Sequence, residues 1–357
     1  HIDLATGGWL MSSIAVAGVV LGLPAALVLA RLGPKGAGLA ALGATLLGSL
    51  IGGLAGSPAA LLAGRAVEGI GLGLISVVAP AVISQWFPPA ERGLPMGLWA
   101  SWVPVGNFLI FNLAGPLAGA FGWQGLWWFG AAAAAAAGVL YAVVVGAPAP
   151  AGPAPQAGAE GFGRWLWHPA SWLVALSFAT FTFAFTGYGT WSPTYLMDRL
   201  GQTAEAANFN SSLTSLTVIP TTLAAGWALD RVRSRTLVLA IALALSAVLL
   251  LWGFRLETFG NAALFFLGIG LVAGFIPTAA FTLAPETMPR PALAGLALGI
   301  LSIGQNLGSM LGAPALALVI GDGHWEAGTP LIVAALGLGL AATLLLQARL
   351  AAGRPRA

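Results

Sequence analysis

Cysteine is absent from this chain of 357 residues. Its absence excludes disulfides, thiolate metal sites and a cysteine nucleophile. Charge is scarce too: Asp, Glu, Lys and Arg make up 7% of the residues, against about 25% in soluble domains. So little charge cannot cover a water-facing surface. The 58% of hydrophobic residues equally excludes a disordered chain. Fourteen basic residues spread over the whole length are too few for a phosphate-tracking groove, so no nucleic acid is expected as a partner. No Walker-type phosphate loop occurs. Gly69-x-Gly71-x-Gly73 lies inside a hydrophobic run with no strand before it, so it is no dinucleotide loop. His1, His168 and His324 lack metal-ligand spacing. No metal, no cofactor and no catalytic residues are expected, and the chain does not read as an enzyme.

What the sequence has in abundance is long uncharged runs. A bilayer core takes about 20 apolar residues in a helix. Eleven such runs occur, at 6–30, 37–55, 58–86, 93–120, 125–147, 169–196, 205–229, 236–254, 259–285, 292–320 and 328–348. They are too long for barrel strands, which run about ten residues and alternate in polarity. The connections are short and polar, except for a Pro-, Gly- and Ala-rich stretch at 146–164 that reads as a linker. The chain therefore divides into an N-terminal bundle (1–147), a linker (148–167), a C-terminal bundle (168–351) and a tail (352–357).

Successive loops alternate between the two membrane sides. One side collects eleven of the fourteen basic residues, the other only Arg199 and Arg255, and Arg65 falls inside a span. The positive-inside rule makes the first side cytoplasmic, with the C-terminus there. The expectation is a multi-pass protein of a bacterial cytoplasmic membrane, its partners being the lipid bilayer and a small solute.

The halves repeat each other at a shift of about 199 residues: Gly69 and Gly71 match Gly268 and Gly270, and Arg92, Gly97, Gly106 and Pro116 match Arg290, Gly295, Gly304 and Pro314. Parallel six-helix repeats are a transporter architecture. The counterpart of the span 169–196 falls before His1, which predicts one further helix upstream of the sequence.

Several short patterns make the chain resemble the major facilitator superfamily. In the first half Arg31, Gly33 and Lys35 fit the family's loop between its second and third helices, with Ala26 and Ala30 where the pattern has Gly and Asp. Gly226, Asp230, Arg231 and Arg235 (with Arg233) fit the equivalent loop of the second half more closely. Arg65, Gly69, Gly71 and Gly73 resemble the fourth-helix motif, and Gly115, Pro116 and Gly119 resemble part of the fifth-helix antiporter motif. The resemblance implies an all-α membrane fold of two pseudo-symmetric six-helix bundles, with eleven of the twelve helices in this sequence. It implies a secondary active transporter, working by alternating access. Arg31, Gly33, Lys35, Gly226, Asp230, Arg231 and Arg235 are candidate gate residues. The glycines of the other two motifs are candidates for helix packing. Gly226 and Gly106 are expected to let helices approach closely.

Arg65 and Glu68 share a helix face at a spacing of three. Charges inside a membrane point to pairing or to a solute pathway. Arg65 would attract an anion while Glu68 titrates; the alternative is an ion pair that only locks helices together. Tyr188 and Trp191, near the end of their span, are candidates to line the cavity. Trp99 and Trp102 share a stripe with Gly106, and Asn107 matches Gln305 at the repeat shift, with Asn306 beside it. Thr278 is a further candidate, or else it bonds to its own backbone. The expected substrate is a small organic or inorganic anion, moved with protons, since one charge crossing 100 mV supplies about 2.3 kcal/mol. Proton-driven efflux of lipophilic compounds is the alternative. A non-transporting membrane sensor is a remote one. A monomer is expected.

Overall fold

The computed structural model describes residues 16, 18–21, 24–86, 95, 98–99, 101–146, 165–229, 231–232, 234–289, 293–321 and 323–352. Among the described residues no strand occurs, and the chain is a set of long helices.

In the first half, α1 (Pro24–Gly53) is broken at Gly33, whose φ of 67° and ψ of 173° lie outside helical space. Glycine takes a positive φ without a Cβ clash, and Pro34 has no amide proton to continue the ladder. Ala25 and Ala41 share one buried cluster with Leu74. A straight helix would hold those alanines about 24 Å apart, so the chain folds back at Gly33. The loop expected over Arg31–Gly36 is thus compressed to a single non-helical residue. Then follow α2 (Pro58–Trp86), α3 (Trp102–Phe121) and α4 (Gln124–Val144). The Tyr141 hydroxyl of α4 donates to the Pro34 carbonyl at 3.0 Å and fastens the fold-back.

In the second half, α5 (Pro169–Leu200) starts with Pro at its first position and stops at Gly201 in the left-handed region, a pairing that both ends favour. Next come α6 (Ala204–Leu229), α7 (Arg235–Leu250), α8 (Phe259–Ala273), α9 (Phe275–Glu286), α10 (Ala294–Ile320) and α11 (Gly328–Ala352). Ser234 and Thr258 cap α7 and α8 by accepting from Leu237 and Asn261. Gly274 separates α8 from α9 within one span. A Cβ there would meet Thr221 and the Thr222 amide of α6 at 2.9 Å.

The described helices make nine spans long and apolar enough to cross a membrane, α8 and α9 together forming one of them, and α7 is a shorter apolar helix. α5 packs against both α10 and α11, α6 against α8, and α7 against α11. The α5–α10 contact is made by glycine. Cβ atoms at Gly304, Gly308 and Gly312 would run into the carbonyls of Ala175, Ala179 and Phe183. This spacing of four is the small-residue stripe through which membrane helices approach closely. The halves meet where α3 packs on α6, and where Gly18 abuts the Asn306 side chain.

The motif glycines divide. Gly71 does pack tightly, against Thr45 and the Ala41 carbonyl of α1, and Gly69 and Gly73 are buried. Gly106, Gly115, Gly119 and Gly226 have nothing within 4 Å of the position a Cβ would take. The close approach expected at these four is therefore not found among the described residues. A match to a motif does not show which helix face meets a neighbour, and these faces are open. Pro116 is exposed beside them.

Candidate substrate and coupling site

The intramembrane charges of the first half come together. Arg65 Nη1 lies 2.8 Å from Glu68 Oε2. The other carboxylate oxygen accepts from Ser49 Oγ of α1 at 2.5 Å. The Arg65 guanidinium lies over the Trp127 ring of α4, 4.0 Å from its centroid. Three helices thus converge on one carboxylate and one guanidinium. Glycine makes room for them. A Cβ at Gly48 would sit 2.6 Å from Glu68 Cγ, and one at Gly64 2.9 Å from the Gly48 carbonyl. Glu68 keeps 12% of its side-chain exposure and Arg65 32%, so the acid is the more enclosed partner. Both carboxylate oxygens have hydrogen-bond partners, as a carboxyl group inside the membrane requires. Arg65 retains donors beyond the one it gives to Glu68.

The aromatic candidates lie elsewhere. Trp99 and Trp102 stack, with centroids 5.4 Å apart. Trp102 is exposed, as is Asn107. Tyr188 is only 5% exposed; its hydroxyl donates to the Gly253 carbonyl at 2.8 Å. It packs against Phe254, Phe265 and Phe266. Trp191 is also buried and donates through Nε1 to the Ala313 carbonyl at 2.9 Å. Both rings sit inside the second bundle in this conformation rather than on an open wall. Thr278 bonds to the Gly274 carbonyl of its own helix at 3.0 Å, the backbone alternative set out above. Gln305 is half-buried. Asn306 donates to the Ser302 carbonyl at 2.8 Å and faces Gly18 of the other half.

Among the gate candidates, Arg31 is exposed and Lys35 half-buried. Asp230 and Arg233 lie outside the described residues. Arg231 bonds to the Trp227 carbonyl and stacks on that ring, 4.1 Å from the centroid. Arg235 pairs with Glu286 at the end of α9, and its Nε donates to the Leu229 carbonyl at 3.2 Å. Arg235 therefore ties the start of α7 to the ends of α6 and α9.

Spacing did not point to several of these partners. Ser49 and Trp127 are remote from Arg65 in sequence and ordinary for a membrane helix. Glu286 carried one signal, being an acid at a span end on the face that holds Arg235. At the opposite end of the second bundle, Trp325 Nε1 donates to Asp198 at 2.6 Å. Beside it the Tyr195 hydroxyl accepts from the Leu256 amide at 2.9 Å.

The model of the Major Facilitator Superfamily matches residues 1–293 and, in a second match, 195–357. The chain belongs to the major facilitator superfamily. An MFS-type transporter of Mycobacterium tuberculosis is 34% identical over 129 residues, 35% of this chain and 21% of that protein. The multidrug resistance protein Stp of the same species is 34% identical over 83 residues, 23% of this chain and 16% of that one. The hexuronate transporter of Bacillus subtilis is 27% identical over 173 residues, 45% of this chain and 39% of that one. Each match thus spans less than half of the curated relative's own length. Solved superfamily structures share the fold over nearly the whole chain. A bacterial homologue of the human lysosomal transporter Spinster, inward-facing and occupied, has a TM-score of 0.74 at 16% identity, covering 97% of this chain and 89% of that one. FucP in its outward conformation has a TM-score of 0.70 at 14% identity, covering 95% and 89%. The protein is thus a multi-pass superfamily member that works within a lipid bilayer.

Proposed function

We propose that this superfamily member is a proton-coupled secondary transporter for a small organic or inorganic anion, acting as a monomer by alternating access. The observation that carries the reading is the Arg65–Glu68 pair, an ion pair inside a span with Ser49 and Trp127 around it. While Glu68 is ionised it occupies the guanidinium. Protonation removes its negative charge and releases Arg65 as a free cation in a low-dielectric site, where it attracts an anion strongly. A proton and an anion then travel together without net charge. The hexuronate relative handles solutes of this class by its name. The membrane is a bacterial cytoplasmic membrane, with the linker and C-terminus on the cytoplasmic side as the basic residues suggest. The gate there is built from Arg31, Gly33 and Lys35 in one half and Gly226, Asp230, Arg231 and Arg235 in the other.

The second reading is proton-driven efflux of lipophilic compounds. The exposed apolar face of α3, with Trp102, Val103, Val105, Leu109 and Ile110, favours it. The relative named a multidrug resistance protein agrees with it.

Purified protein in proteoliposomes separates the two. Under an inward pH gradient, radiolabelled glucuronate should accumulate, and Glu68→Gln should abolish the dependence on the gradient. Accumulation that ignores the gradient, or a Glu68→Gln variant with unaltered pH dependence, overturns the coupling. Ethidium movement without glucuronate movement selects the efflux reading.

A further inference from the structure

A second charged feature lies outside the Arg65 network, at the membrane end that carries the linker and the C-terminus. A cavity of about 290 Å³ opens between the first turns of α5 and the last turns of α11, lined by Pro169, Trp172, Leu173, Leu176, Leu345 and Arg349. Five of these six are apolar or aromatic; the sixth is a cation, and no carboxylate is among them. Leu176 is 38% exposed and Leu345 59%, so the leucine wall faces outward from the bundle. Arg349 is exposed in the last turn of α11. Trp172 is oriented by its Nε1 donating to the Leu166 carbonyl at 2.8 Å, and stacks with Trp167 at 6.0 Å between centroids. Trp167 is 73% exposed. Indoles of this kind mark the headgroup level of a bilayer. The groove therefore runs from headgroup depth, where the guanidinium sits, down into the hydrocarbon, where the leucines are.

This gradation matches one class of molecule: an acyl chain bearing a negative headgroup. We propose that the α5–α11 groove holds an anionic phospholipid of the surrounding leaflet, one acyl chain on Leu173, Leu176 and Leu345 and its phosphate on Arg349. The planar guanidinium offers paired donors to phosphate oxygens, and the N-terminal end of α5 beside it adds a favourable dipole. The site is a lipid seat on the outside of the second bundle, apart from any solute pathway. By it the bilayer's composition acts on α5 and α11 together.

The test is native mass spectrometry of the protein in mild detergent, titrated with phosphatidylglycerol or with phosphatidylcholine of the same chains. The wild type should retain phosphatidylglycerol about fivefold better, the effect of one well-placed basic residue. Arg349→Gln should erase the preference without changing phosphatidylcholine retention. Leu345→Trp, which fills the groove from its exposed side, should lower both. Arg255→Gln, at the opposite membrane end, should leave the preference intact. Equal retention of the two lipids by the wild type overturns the proposal, and so does a preference that survives Arg349→Gln. Displacement of phosphatidylglycerol by millimolar inorganic phosphate alone also overturns it, since the acyl chain would then contribute nothing.

Discussion

The two halves of the chain bury different things. In the second half a single contiguous cluster runs through all its helices, from Val174 and Phe178 in α5 through Leu243, Phe266 and Ile300 to Leu346 in α11. Among the described residues, the first half forms two small clusters: Ala25, Ala41 and Leu74, and Ala37, Val78 and Val82. Polar chemistry divides the other way. The second half ties its helices with neutral hydroxyls: Ser171 to Thr287 at 2.6 Å, Ser192 to Ser211 at 3.1 Å, and Thr343 to Ser177 at 2.9 Å. In the first half an ion pair inside a span, Arg65–Glu68, joins α2 to Ser49 of α1 and Trp127 of α4, whereas the ion pair of the second half, Arg235–Glu286, sits at helix ends. The hydroxyl ties are neutral, whereas the Arg65–Glu68 tie places two charges inside a span. The second half is thus a block held by one continuous core, and the first half carries the charged pair inside a span.

The largest test of this contrast sets one glycine against another. Gly308→Leu would push a side chain into the Ala179 carbonyl and Thr182 of α5. It should cost about 3 kcal/mol, the upper end for overpacking, seen as a large fall in the thermal midpoint of the detergent-purified protein. Gly115→Leu, on an open face of α3, should stay within about 0.5 kcal/mol. Equal losses for both would erase the distinction.

Next in size is the ion pair. Glu68→Gln leaves a partly enclosed arginine without its counter-ion. It should destabilise the first half by about 1–2 kcal/mol, below the 3–5 of fully buried pairs because Arg65 keeps access to solvent. Adding Arg65→Gln should recover most of that loss. A double variant as unstable as the single one would mean that Arg65 acts through Trp127 instead.

A smaller effect is expected from Tyr188→Phe, which deletes the bond to the Gly253 carbonyl. About 1 kcal/mol is the ordinary size. A thermal midpoint that does not move would show that ring packing alone holds this position.

The smallest effect involves His168, just before α5. Burial, and then the nearby charge of Arg349, hold its pKa below 6.5. The folded state therefore binds its proton less readily than the unfolded state does, and stability falls as pH drops through the unfolded and then the folded value. His168→Gln should flatten that slope below about pH 6.5 and change nothing at pH 8. A slope that persists in the variant assigns it to other groups.

Much of the fold was legible because it depends on run length. The span expected at 58–86 is α2 (Pro58–Trp86), and the one at 205–229 is α6 (Ala204–Leu229). Twenty apolar residues have few alternatives in a bilayer. The site was legible only in part. Arg65 and Glu68 stood out because charge is rare, and their pairing followed from a spacing of three. Packing partners were harder to see. Gly226 and Gly115 looked like contact points, yet Gly308 is one, because a glycine's role depends on the helix that faces it. Its spacing of four from Gly304 and Gly312 was the available sign. Tyr188 and Trp191 were hidden for a similar reason: an aromatic ring with a polar tip suits a cavity wall or a core. Only the carbonyls of Gly253 and Ala313, distant in sequence, decide between them.

The glycine stripe on α10 has a mechanical consequence. Elsewhere two helices can slip past each other by swapping rotamers at their contact. Where Gly304, Gly308 and Gly312 of α10 meet the α5 carbonyls, the surfaces in contact are backbone, so there are no rotamers to swap at those three points. Such a seam is expected to resist sliding, so that a rearrangement of the second half would carry both helices as a single piece.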